Sequence, residues 1–216
     1  MTKRHECHII NDTDVIIDGF GVTVMDKKSD AKRNLILLRA RQVFTRKGFA
    51  GVTMKDIIDE CGISRGGLYL YFQSVDEIFM QVIDTHNRSK LSETKQYISE
   101  DKSFEQLIDE YLNKQKRRLL NLGNSLLIAL YEYRFANRDD YHKEFFRNQF
   151  INTKNVMLDI LNYGVEKGAI SHPDTGSLAS GVVLHIEGIS MLAVAAGISH
   201  EFIEKQIEFI KGMIIK

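Results

Sequence analysis

From Ser29 to the C-terminus, apolar residues recur three and four positions apart with charged residues between them. That spacing predicts amphipathic helices. Ala31–Lys47 carries Leu35, Leu38, Val43 and Phe44 among bases, and Gly48 follows as a stop. Thr53 is placed to cap a short helix, Met54–Glu60, with Ile57 and Ile58 inward. Gly62 ends that helix and Ser64 caps the next, Arg65–Phe72. A longer helix opens at Ser74 or Asp76 and runs to about residue 98, followed by helices at 103–121, 125–137, 141–167, 175–196 and 200–215. The breaks hold turn residues, including the single Pro, Pro173. The first 28 residues differ: His8-Ile9-Ile10 and Val15-Ile16-Ile17 are β-rich, and Asp18-Gly19 suits a small hairpin. The expected fold class is all-α, with a loosely ordered extension at 1–28, a three-helix head at 29–73 and a larger helical body at 74–216. Met25 followed by Asp-Lys-Lys-Ser-Asp looks like a natural start, so residues 1–24 are expected to lie upstream of the native protein.

Composition narrows the class. An apolar fraction of 44% and a charged fraction of 27% over 216 residues are ordinary for a globular protein with its own core. They exclude a collagen-like or disulfide-stapled secreted chain, and a single Pro fits long helices. Cys7 and Cys61, far apart, imply a reducing compartment and no structural bridge, so the expected location is cytoplasmic. No apolar run is expected to reach the length of a membrane span, and the N-terminus has no signal-peptide pattern, so no membrane partner is expected.

Net charge is zero, from 29 bases and 29 acids, but its distribution is uneven. Residues 27–73 hold ten bases and only Asp30, Asp56, Asp59 and Glu60 as acids, a charge of +6, while 1–26 and 74–216 each carry −3. A basic segment of this kind suits phosphate binding, because displaced counterions drive the association.

Within that segment, Met54–Phe72 has the spacing of a helix-turn-helix, whose second helix enters a major groove. Gly62 suits a turn that a Cβ would strain. Gly66 and Gly67 each cost a short helix about 1 kcal/mol relative to Ala, which makes sense where the backbone must approach another surface. Arg65 beside them offers a guanidinium to phosphate or guanine. Leu68 and Phe72 share a face by i,i+4 spacing and belong to the core, which leaves the Tyr69 and Tyr71 hydroxyls for phosphates.

These residues carry a resemblance. Lys47-Gly48-Phe49-x-x-Val52-Thr53-Met54-x-x-Ile57 and Gly62-Ile63-Ser64-Arg65-Gly66-Gly67-Leu68-Tyr69-x-Tyr71-Phe72 resemble the TetR/AcrR family of transcriptional repressors over residues 31–80. The resemblance implies a homodimer, joined through the last two helices, on a palindromic double-stranded DNA operator and released by a small molecule bound in the body. It also implies that Thr53 caps the second helix and touches phosphate with Lys55 close by. Arg65, Gly66 and Tyr69 would face the groove with Ser64 and Gly67 around them, while Tyr71 holds the backbone and Phe72 pins the helix. The chain departs from the pattern at Val75, where the family often has Lys, and at Ile58 and Cys61, where small Ala residues are usual.

In the body, residues 104–150 are rich in aromatics. Tyr131, Phe135, Phe146 and Phe150, with Met157, are the candidates to line a pocket for a flat or apolar effector. His185 and Glu187 are the ionisable residues of the otherwise apolar 175–196 segment and read as structural. No nucleophile elbow, zinc signature or phosphate-cradling glycine loop is present, and His5, Cys7 and His8 are too crowded for a closed metal site. No enzyme activity, metal or cofactor is expected. The rival reading is a helix-turn-helix regulator whose body binds a protein partner. An enclosed cavity in the body favours a small effector, and a solid core with an exposed apolar patch favours the partner.

Overall fold

The structure, a computed structural model, describes residues 27–215. The expected hairpin at Asp18-Gly19, the His5, Cys7 and His8 group and the extension at 1–24 lie outside the described residues. Among the described residues the chain is helical throughout, and α1 (Lys27–Lys47) begins inside the segment expected to be loose. Its buried side is Ile36, Leu37, Ala40, Val43 and Phe44. This corrects the expected register, because Leu35 and Leu38 fall beside that stripe and are 51% and 54% exposed.

α2 (Met54–Cys61) starts at Thr53, whose side chain and that of Asp56 cap each other's backbone N–H groups. It ends at Gly62 in the left-handed conformation at φ 63°, which turns the chain sharply toward α3 (Arg65–Tyr69). α3 is shorter than the expected 65–72. Tyr71 and Phe72 N–H groups still donate to the Leu68 carbonyl at 2.9 and 3.1 Å, so a tight turn, and no further helix, delivers Phe72 to the core.

α4 (Val75–Ser99), capped by Ser74, joins head to body. Ile78, Phe79, Val82 and Ile83 from its first half complete the head core with Phe44, Ile57, Leu68 and Phe72, and the Phe44 and Phe79 rings meet edge to face at 4.7 Å. α5 (Phe104–Leu120) leads through a 3₁₀ turn at Leu122–Asn124 to α6 (Leu127–Ala136). α6 adds Ala129 and Tyr133 to the head core, so this core does not close at residue 73. Ser125, expected to open α6, precedes Leu126, which provides no side-chain cap.

α7 (Asp140–Glu166), α8 (Thr175–Ala196) and α9 (His200–Ile214) pack with α5 around a second core that includes Met157, Ile160, Val182, Ile186 and Ile210. α8 corrects an expectation: it has the length and hydropathy of a membrane span. Its apolar character serves two sides here. Ala179, Val182, Val183, Ile186 and Ile189 are buried in the body, while Leu184, Met191 and Leu192 remain exposed.

Candidate nucleic-acid interface and interior cavity

The head presents α3 at its surface. Ser64 accepts the Gly67 N–H at 3.1 Å, fixing the start of the helix, while fully buried Leu68 and Phe72 anchor it from behind. Arg65 and Gly66 are exposed, Tyr69 and Tyr71 half-buried. The Arg65 guanidinium lies 5.5 Å from the centre of the Tyr69 ring, and the Lys32 ammonium 5.8 Å from that of Tyr71. A Cβ at Gly66 would meet nothing within 4 Å, and its backbone is helical, so nothing inside the chain requires glycine there. At Gly67 a Cβ would sit 3.2 Å from Ser64 Oγ, so this glycine also serves the cap.

The head's charge is less uniform than its count. Lys47 pairs with Asp56 at 2.5 Å, Lys55 with Asp59 at 3.1 Å, and Arg46 with Glu60. The Lys47 ammonium, with Thr53, pulls the Asp56 carboxyl down to about 2. Among the described residues, Lys32 and Arg65 have no carboxylate partner, and both stand beside the exposed face of α3 and the turn after it.

One body residue grips the head. The Glu132 carboxylate on α6 accepts the Phe49 and Ala50 N–H groups of the α1–α2 turn at 2.6 and 3.0 Å. Gly48 precedes them at φ 73°, and a Cβ there would fall 2.5 Å from the same carboxylate. The Phe49 ring meets Tyr133 of α6 at 4.6 Å and Phe79 of α4 at 5.1 Å, so the turn is held by both helices.

Behind this contact α4, α5, α6, α7 and α8 line a cavity of about 790 Å³ that opens to solvent, within the size range of small-molecule sites. Part of its wall is apolar, including Leu91, Leu107, Phe150, Val156, Ile160 and Val183. The polar part is unusual. Burial pushes the Lys90 ammonium down to about 7, with the fields of Arg118 and Arg41 adding to the effect. Lys90 is half-buried and lines this cavity. Burial also lowers His86 to about 3, so that it is neutral, and raises the Tyr111 phenol to about 12, so that it remains an O–H donor.

The sequence profile of the family described as "Bacterial regulatory proteins, tetR family" matches residues 36–82, from the buried side of α1 through the first turns of α4. A Bacillus subtilis protein, the uncharacterized HTH-type transcriptional regulator YfiR, is 31% identical over 146 residues, covering 67% of this chain and 71% of that protein. The chain belongs to the TetR family. A second Bacillus subtilis regulator of the HTH type, YerO, is 23% identical over 158 residues; the match covers 70% of this chain and only about half, 53%, of that protein. The crystal structure of Escherichia coli NemR in its reduced form superimposes with a TM-score of 0.68, covering 86% of this chain and 98% of that one. At 15% identity it speaks for the fold alone. The all-α architecture is thus that of TetR-family transcriptional regulators, a head with a helix-turn-helix followed by a helical C-terminal domain.

In this TetR-family chain Phe146 and Phe150 line the cavity, whereas three other expected pocket residues do not. Tyr131 is buried and its hydroxyl donates to the Glu187 carbonyl at 3.3 Å. Phe135 is 50% exposed and stacks on Tyr131, and Met157 is wholly inside the body core. The cause is rotational: Leu127, Leu130 and Arg134 turn the cavity side of α6 inward, and Tyr131 and Phe135 each follow one position later, about 100° round the helix. The cavity is also far more polar than an aromatic box. Lys90, Arg118 and the Glu132 grip escaped sequence reasoning, although a signal existed: Ile83, Asn87, Lys90, Thr94 and Tyr97 share a helical stripe that a solid core would fill with apolar residues.

Proposed function

We propose that this TetR-family regulator is a homodimeric repressor that binds a palindromic operator in the cytoplasm and releases it when a small molecule fills the body cavity. The DNA-binding unit is residues 29–73, and the effector-binding and dimerising unit is 74–216. Thr53, Lys55, Ser64, Arg65, Gly66, Gly67, Tyr69 and Tyr71 form the DNA surface: Arg65 reads a base edge, Tyr71 and Lys55 hold phosphates, and Thr53 and Ser64 fix the helix starts. The observation that carries this reading is Gly66, a helix-weakening residue in open space beside an exposed arginine. Its absent side chain serves a surface outside the chain.

The cavity supports a small effector over a protein partner for the body. Its wall includes α4 and α6, the helices that hold the α1–α2 turn through Phe79, Glu132 and Tyr133. Displacement of either helix by a ligand moves the head. Half-sites in successive major grooves lie about 34 Å apart, so a small change in head separation prevents both recognition helices from docking together. The exposed apolar side chains of α8 and α9, Leu184, Met191, Leu192, Phe202 and Phe209, support self-association through these helices.

Gel shifts with the operator and with random DNA test the surface. Arg65→Ala is expected to lower operator affinity by about 1–3 kcal/mol and to relax preference at one base position. Tyr71→Phe is expected to weaken operator and random DNA alike, since a phosphate contact carries no sequence information. Unchanged operator binding by Arg65→Ala would remove α3 from its assigned role.

A further inference from the structure

Most charged groups of the cavity wall are paired, Lys143 and Arg147 with Asp140 and Glu144 of their own helix and Glu110 with Lys114 at 3.6 Å. Asp84 holds Arg88 at 2.7 Å, Glu93 holds Lys114 at 2.9 Å, and Glu187 holds Arg134 at 2.5 Å. Once these are matched, Lys90 on α4 and Arg118 on α5 remain, and among the described residues neither has a carboxylate partner. Arg118 donates from Nη2 to the buried Ser190 hydroxyl at 3.1 Å. Its Nε is enclosed with no acceptor. That hydroxyl already donates to the Ile186 carbonyl at 2.7 Å, so it offers the guanidinium a neutral oxygen and no charge.

Two neighbouring basic groups with no carboxylate in contact, only the weaker fields of Glu93 and Glu187, are costly to bury, and apolar side chains of similar volume are usually the more stable filling. Their presence beside an apolar wall calls for a compensating charge from outside the chain. The inference rests on the reading of this cavity as the effector site. We propose that the effector is an organic anion, one acidic oxygen group (carboxylate, sulfonate or phosphate) on an apolar body, with the anionic group held between Lys90 and Arg118. Lys90, Tyr111 and Arg118 all line the cavity, so an ammonium, a phenol and a guanidinium are available to one anionic group. A neutral ligand would leave both cations uncompensated, and a cationic one would add a third charge. Leu91, Leu107, Phe150, Val156, Ile160 and Val183 receive the apolar body. The anion then adds a second charged link between α4 and α5, beside the Glu93–Lys114 pair.

Two matched probes test this with the full chain: anilinonaphthalene sulfonate and its uncharged parent, N-phenyl naphthylamine, titrated by fluorescence. The sulfonate is expected to bind about tenfold or more tightly than the parent. Lys90→Met and Arg118→Met are each expected to cost the sulfonate about tenfold while leaving the parent within about twofold. Arg118→Lys, which keeps the charge, is expected to recover most of the loss, and Lys205→Met at the surface to change nothing. Far-UV circular dichroism of each variant separates lost binding from lost fold. Equal affinity for the two probes, or variants that weaken both probes alike, overturns the proposal. Operator release is read separately. Sulfonate that binds through Lys90 and Arg118 without freeing DNA supports the anion site and defeats the release mechanism. Release by the parent alone does the reverse.

Discussion

In the head, three of the four acids between residues 27 and 73 are matched at the surface: Asp56 by Lys47, Asp59 by Lys55 and Glu60 by Arg46. The body matches the acids of its cavity wall as well, yet among the described residues Lys90 and Arg118 have no carboxylate in contact. The two regions therefore treat charge in opposite ways. Pairs exposed as in the head contribute little to stability, roughly 0–1 kcal/mol each, and they leave unmatched bases on α1 together with Lys32 and Arg65 beside α3. An enclosed cation is a standing cost of several kcal/mol, and a fold retains one where a ligand relieves it. The head's surplus faces outward to a polyanion, and the body's surplus faces inward to a single small one.

The sharpest way to break this contrast is to remove the head's own anchor. Phe72 is fully buried among Phe44, Leu68 and Phe79. Phe72→Ala is expected to destabilise the protein by about 3–5 kcal/mol in urea unfolding and to abolish operator binding. Anilinonaphthalene sulfonate should still bind the cavity with nearly its original affinity, because Phe72 itself does not line the cavity. Joint loss of DNA and probe binding would mean that head and body are one unit energetically as well as structurally.

A smaller effect is expected at the joint between them. Glu132→Ala leaves the Phe49 and Ala50 N–H groups without the carboxylate that now accepts both. The expected cost is about 1–3 kcal/mol of stability, with probe affinity unchanged. If α6 transmits the effector signal, bound probe should then release less operator than in the wild type. Full release by the variant would leave α4 as the sole route.

The sequence made the head legible because its function imposes local spacing. The Thr53 cap, the Gly62 turn, the Ser64 cap and the Leu68–Phe72 pair each belong to a stretch of a few residues, and each has one geometric reading. The correction at α1 is of the same local kind: Leu35 and Leu38 satisfy an apolar count but not the stripe through Ile36, Ala40 and Val43. The cavity was hidden because it is assembled from side chains on five helices, and no local pattern says which helices meet. Aromatic richness points to Phe146 and Phe150, which lie on the wall, and equally to Tyr131, Phe135 and Met157, which do not, because rotational position depends on tertiary packing. The stripe of Asn87, Lys90 and Thr94 marks a polar side of α4, but only its neighbours in space show that Lys90 lines a cavity.

The last test sets stability against function at one atom. Gly66 lies in helical backbone with open space where a Cβ would go. Gly66→Ala is therefore expected to stabilise the free protein by up to about 1 kcal/mol, seen as a small rise in Tm. In the complex that methyl enters the space taken by the groove, and overpacking of a tight contact costs about 1–3 kcal/mol, so operator affinity should fall by roughly tenfold or more. The two signs must differ. A variant that is more stable and binds operator as well as the wild type would show that α3 stands off the DNA at its N-terminal turn. A variant that is less stable would show that the open space beside Gly66 is used by the protein itself.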